Sequence, residues 1–413
     1  MRNRNRRSWS ASQYRGPRSS RRGKVLAVLA VVAVLAMLGA AAWHFWLRPD
    51  EVADQPPSSP SAPELTESPP ATPPPDIEPS PLPSAPDAVK GIYISGPMAG
   101  SAAMDSLLTL VDETELNAVV IDVKNDEGYL TYQPKAGTAA VLEAYVPYIS
   151  DLAGLVAELK GHGVYTIARI VAFKDPFLAK ARPELTLHDI DGRAIAESGT
   201  VSWVNPFEQE VWTYLEEIAL DAVELGFDEV QFDYVRFPAG GSDPIDYGPA
   251  GDGKEKKDAI AGFLTEVTSL LHEKGAYVSA DVFGTIITNP GDAEYVGQDF
   301  VQLAQIVDKI CPMVYPSHYA ADSFGLAVPD SQPYETIHAA LGYASSSLFG
   351  FDDANCVRPW LQDFTATWVT GHIAYGPEEL RAQIRAVYDA GYTDWLLWNA
   401  GNQYTEDGLE RAP

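Results

Sequence analysis

The 413-residue chain has only two cysteines, Cys311 and Cys356. That excludes a disulfide scaffold and a cysteine-rich zinc module. The six histidines beyond His44 (His162, His188, His272, His318, His338, His372) show neither HxH nor HExxH spacing, so a zinc hydrolase has no ligand set, and no metal or other cofactor is expected. No phosphate-binding P-loop and no Gly-x-Ser-x-Gly occur, against NTP hydrolysis and a serine esterase. His188-Asp-Ile-Asp-Gly192 lacks the later ligands of a calcium loop and reads as a turn. Basic residues are also scarce: ten lie in residues 1–48, where no acidic residue occurs, leaving 19 against 57 acidic residues in the rest. Such a field repels phosphate backbones and excludes nucleic acid as a partner of the main body.

From Val25 to Trp43 run nineteen residues without a charge. At about 1.5 Å per residue they are long enough to cross a bilayer core of about 30 Å. A cleaved signal peptide would have a shorter apolar core and small residues before its cleavage site. Here Trp43, Phe45, Trp46 and Leu47 follow, so 25–47 reads as an uncleaved membrane helix in contact with lipid. Nine Arg and Lys precede the span and only Arg48 closely follows it. The basic tail 1–24 is therefore expected in the cytoplasm, with the remaining chain outside. Residues 49–87 hold 14 prolines, eight acidic residues and no basic one. Segment 48–87 is thus a disordered, semi-rigid linker, spanning up to roughly 100 Å at about 3.1 Å per residue.

Residues 88–413 alternate short β-branched or aromatic runs with helix-period runs. Eight strands are predicted, at 91–95, 118–124, 164–173, 229–237, 277–284, 309–315, 357–364 and 394–400. Helical spacing is seen in Ile149, Leu152, Val156 and Leu159, and again in Ile260, Phe263, Val267 and Leu270. Gly161, Gly226, Gly275 and Gly391 stand where left-handed helix caps are needed. Eight βα repeats in this length predict an α/β fold, the (β/α)8 TIM barrel. An open doubly wound sheet would need a glycine-rich turn after the first strand, and none is present.

Alternation along each strand separates lumen-facing from helix-facing residues. It places Asp122 and Lys124, Arg169, Gln231 and Asp233, Ser279 and Asp281, Tyr315, Gln362 and Asn399 inward, toward the C-terminal strand ends where barrel enzymes do their chemistry. Glycoside hydrolysis requires two carboxyl groups flanking the scissile bond, and Asp233 and Asp281 on neighbouring strands meet that need as the catalytic pair. Sugar faces stack on aromatic rings, for which Trp203, Tyr234, Tyr315, Tyr319, Trp360, Trp398 and Tyr404 stand at strand ends or in the loops beyond. The remaining substrate-binding candidates are Asp122, Lys124, Arg169, Arg236, Gln362 and Asn399. An acidic exterior favours neutral or cationic glycans over polyanions. On residues alone, a glycan-binding or wall-organising barrel without turnover is the alternative. The two cysteines are left as a potential pair.

The blocks KGIYISG (90–96), NAVVIDVKNDEG (117–128), IARIVAFKD (167–175), WVNP (203–206), GFDEVQFDYVRFP (226–238), SADVFG (279–284), ICPMVYPSHY (310–319), RPWLQDF (358–364) and WLLWNA (395–400) occur in order at the strand ends. In these the chain resembles the bacterial "putative glycosyl hydrolase domain" family, a barrel family distantly related to the alpha-amylase clan. The resemblance spans most of 88–404 and implies a carbohydrate-active barrel. By analogy with the clan it implies Asp233 as nucleophile and Asp281 as acid/base. Clan enzymes usually carry Glu on the fifth strand, where this sequence has the shorter Asp281.

Overall fold

In a computed structural model, described for residues 82 and 84–412 except 198–199, 202, 240–243 and 352–355, eight strands pair in chain order and the eighth returns to the first. They are β1 (Lys90–Ile94), β2 (Ala118–Lys124), β3 (Tyr165–Val171), β4 (Glu229–Asp233), β5 (Tyr277–Phe283), β6 (Lys309–Met313), β7 (Trp360–Gln362) and β8 (Trp395–Trp398). All eight neighbouring pairs are parallel, and the sheet is a closed barrel. The principal helix of each connection is α1 (Met104–Glu113), α2 (Leu152–Gly161), α3 (Gln209–Glu224), α4 (Lys256–Glu273), α5 (Phe300–Ala304), α6 (Pro333–Ser347) and α7 (Pro377–Asp389).

Two apolar layers follow from strand alternation. Val119, Ile121, Val123, Val230, Phe232, Val278, Ala280 and Val282 belong to the large cluster beneath the helices. Tyr93, Val120, Ile167, Cys311, Trp360 and Leu396 form a separate cluster in the barrel lumen. Burying both faces explains why these strands read as nearly continuous apolar runs. The lumen also encloses an ion pair between Glu229 of β4 and Arg358, with Tyr165 and Ser279 donating to the same carboxylate. Neither cysteine is in a disulfide. Cys311 faces the lumen and Cys356 the helical layer, on opposite sides of the sheet, so the pairing left open by the sequence does not form.

Helix ends follow local chemistry. The Asp151 carboxylate accepts from Gly154 N at 2.9 Å to start α2, and Asp299 accepts from Gln302 N at 3.0 Å to start α5. Gly226, Gly275 and Gly391 adopt the expected left-handed conformation. Gly161 does not: it ends α2, His162 N–H bonds back to Glu158 and Leu159, and Gly163 takes the positive φ instead.

Two strand bounds and the last βα repeat differ from expectation. β4 stops at Asp233 because Tyr234 turns left-handed at φ 49°. β7 begins only at Trp360, since Pro359 has no N–H to add to the ladder. No eighth barrel helix follows β8 among the described residues. The turn Glu406–Gly408 covers α7 instead, with Gly408 against Leu380, and Arg411 bridges back to Thr114. The turn expected at 188–192 is present, with Asp189 Oδ1 accepting from the Asp191 and Arg193 amides. The tail 1–24, the apolar run 25–47 and nearly all of linker 48–87 lie outside the described residues. Among the described residues no helix is long and apolar enough to cross a membrane.

Candidate active site

At the C-terminal mouth of the barrel, Arg169 at the end of β3 reaches three carboxylates. Its Nη1 donates to Asp122 Oδ1 at 2.6 Å, and its Nε and Nη2 donate to Asp233 Oδ2 at 3.1 and 2.6 Å. Nη2 also pairs with Asp126 Oδ1 at 3.0 Å. A planar fork of five N–H groups suits this role, which a lysine ammonium does not fill. Asp122 is held from its other side by the Tyr93 hydroxyl, which donates to Oδ2 at 2.6 Å. Burial raises the Asp122 carboxyl above the ordinary range against the opposing pull of Arg169 and Tyr93. Burial and the Asp122 charge push the Tyr93 phenol far up, so it remains a donor.

Asp233 Oδ1 accepts from the Tyr234 amide at 2.6 Å. Tyr234 itself is left-handed at φ 49°, a conformation costly for a non-glycine residue. The Tyr234 ring lies against the Lys174 ammonium at 4.5 Å and the Arg236 guanidinium at 4.9 Å. Opposite, Asp281 of β5 is 2% exposed, and its Oδ1 accepts the Trp360 indole N–H at 2.6 Å. Burial, and next the charge of Asp233, raise the Asp281 carboxyl well above the carboxylate range. The Trp360 hydrogen bond and Arg169 pull the other way. Tyr315 is likewise pushed up by burial and then by Asp281 and Asp233, which keeps its hydroxyl protonated.

A cavity of about 590 Å3 opens between these groups. The structure brings nine of the candidate residues to its wall: Asp233, Asp281, Arg169, Tyr234, Arg236, Tyr315, Tyr319, Trp360 and Trp398. Asp122 lies one residue behind, reaching the cavity only through Arg169. Five candidates are elsewhere. A register shift against β3 between Asp122 and Lys124 turns Lys124 aside, and its buried ammonium bonds Val171 O and pairs with Asp175 at 2.8 Å. Trp203 is 1% exposed and backs Arg236 at 4.9 Å. Gln362 spends its amide on Ser317, Asp330 and Phe364, and Asn399 holds Asp363 O at 2.6 Å. The Tyr404 hydroxyl bonds the Tyr93 carbonyl. The wall also includes Asp126, Phe283, Thr285, Asp292, Tyr295 and His318, none of them singled out by strand alternation. Among the described residues, no group of three or more His, Cys, Asp or Glu side chains is arranged to hold a metal ion.

The model of the family described as "Putative glycosyl hydrolase domain" matches residues 91–404. The chain belongs to that family. It is thereby a glycoside hydrolase with a carbohydrate as its substrate. No curated protein matches the sequence. Among solved structures, the PgaB (BpsB) glycoside hydrolase domain from Bordetella bronchiseptica aligns over 76% of this chain and 94% of its own, at 15% identity and a TM-score of 0.55. A beta-galactosidase from the psychrophilic Marinomonas ef1 aligns over 78% of this chain and 56% of its own, at 12% identity and a TM-score of 0.52. A hypothetical protein from Ruminiclostridium thermocellum shares 34% identity over 46% of this chain and 97% of its own, with a TM-score of 0.43. The first two likenesses are ones of fold.

Proposed function

We propose that the chain is a membrane-anchored, extracytoplasmic glycoside hydrolase that cleaves neutral or cationic polysaccharide, with Asp233 as nucleophile and Asp281 as general acid and base. What supports this reading is a single cavity lined by both carboxyl groups, with the pKa of one of them, Asp281, raised well above the carboxylate range by burial and by the charge of its partner. Environments that separate two carboxyl groups in this way assign acid and base roles. Asp281 gives its proton to the glycosidic oxygen as the C–O bond breaks, and an Asp233 oxygen bonds the anomeric carbon. The resulting carboxylate of Asp281 then takes a proton from water, whose oxygen displaces Asp233 and frees the sugar. Arg169 orients Asp233, while the Trp398 and Tyr315 rings offer apolar faces to the sugar.

Substrate charge is read from the wall, where Asp126, Asp233 and Asp292 outnumber Arg169 and Arg236 even with the acid Asp281 left out. Such a site repels uronates and sulfates. The apolar run 25–47 and the charge bias of 1–24 support an anchor with the barrel outside the cell. Intact cells carrying the full-length chain are therefore expected to release reducing ends from external beta-glucan or chitosan, with the protein sedimenting in the membrane fraction. Preference for alginate or heparin would contradict the substrate assignment. Activity found only in the soluble fraction after lysis would contradict the anchor.

A further inference from the structure

An aromatic path leads out of the cavity. The Tyr315 ring, on the cavity wall, lies 6.1 Å from Phe364, and Phe364 stacks on Trp368 at 5.9 Å with 22° between planes. Trp368 is 65% exposed and, unlike a singly scattered surface residue, continues an apolar surface from the cavity through Phe364. It sits in the loop after β7, at the barrel end where substrates enter. That loop is tied down: Gln362 donates to Phe364 O at 3.1 Å, Asn399 to Asp363 O at 2.6 Å, and Thr405 N and Oγ1 to the Asp363 carboxylate. Two residues that alternation assigned to the substrate are instead the brackets of this loop.

We propose that Trp368, backed by Phe364, is an outlying sugar platform, so that the substrate is a chain of several sugars running from the cavity over the β7 loop. The proposal rests on the hydrolase reading above for its ligand class. A rigid ring with an open face stacks on the C–H face of a pyranose whatever the sugar's hydroxyl pattern. Continuity with the cavity through Tyr315 makes that occupant a glycan rather than a second protein.

The test is affinity electrophoresis of the full-length chain carrying Asp233→Asn, in native gels containing laminarin, dextran or glycol chitosan. At least one polymer retards it. Adding Trp368→Ala weakens that retardation roughly tenfold in apparent Kd, and Trp368→Phe restores most of it. Phe349→Ala, which removes a 90% exposed ring beyond α6 at the other end of the barrel, changes nothing. Equal retardation with Trp368→Ala, or none by any of the three polymers, overturns the platform. Retardation that depends on Trp368 in a chain whose wild type hydrolyses none of them keeps the platform and removes the hydrolytic reading. Hydrolysis and retardation both unaffected by Trp368→Ala do the reverse.

Discussion

Asp233→Asn is expected to lower kcat on polysaccharide by on the order of 10^4-fold or more, while the chain stays folded. An amide cannot form the glycosyl ester, so the loss falls on chemistry and not on binding. The substitution is mild structurally, because the Asn oxygen still accepts from the Tyr234 amide or Arg169. Arg169 also keeps its bonds to Asp122 and Asp126. Reducing-end release measured beside near-UV circular dichroism separates the two effects. Equal release by wild type and variant would remove Asp233 from the mechanism.

Arg169→Met is expected to cost about 3–5 kcal/mol of stability as well as turnover, the range for breaking a buried ion pair from one side. Asp122 and Asp233 are both buried, and each loses a guanidinium hydrogen bond at 2.6 Å. Asp122 would keep only its bond from Tyr93 on the side-chain oxygens. Arg169→Lys should recover only part of the loss, since a point charge cannot fork to three carboxylates. Urea denaturation with an unchanged m-value measures this directly. A midpoint change equivalent to less than about 1 kcal/mol, the size expected of an exposed pair, would show that water already screens the cluster.

The barrel was legible because its strands are buried on both faces and bounded by turns, so each run stands out in the sequence. Alternation then placed Asp233, Asp281 and Arg169 in the lumen, as the structure does. It failed at Lys124, where a register shift that leaves no mark on an alternating pattern turns the side chain toward Asp175. It failed differently at Gln362 and Asn399, whose inward amides satisfy loop backbone instead of meeting the cavity. Residue type alone does not tell these uses apart. Asp292 and Tyr295 come from the short helix Pro290–Val296 beyond β5. Its position over the cavity depends on the turn Gly284–Ile287 that precedes it, which has no strand or helix period to read. The Glu229–Arg358 pair lies on the alternation that carries Asp233, yet its partner is 129 residues away, a distance local pattern does not bridge.

The mechanism turns on one shift: burial and the charge of Asp233 across one cavity raise the Asp281 carboxyl well above the carboxylate range. Its most direct test is a carboxyl-carbon NMR titration of aspartate-labelled protein, with the Asp281 signal assigned by its loss in Asp281→Asn. The midpoint should lie well above the ordinary carboxylate range. It should fall in Asp233→Asn, where the neighbouring charge is gone, and rise in Trp360→Phe, where the indole hydrogen bond to the ionised form is lost. An ordinary midpoint in the wild type, or one indifferent to Asp233→Asn, would contradict it.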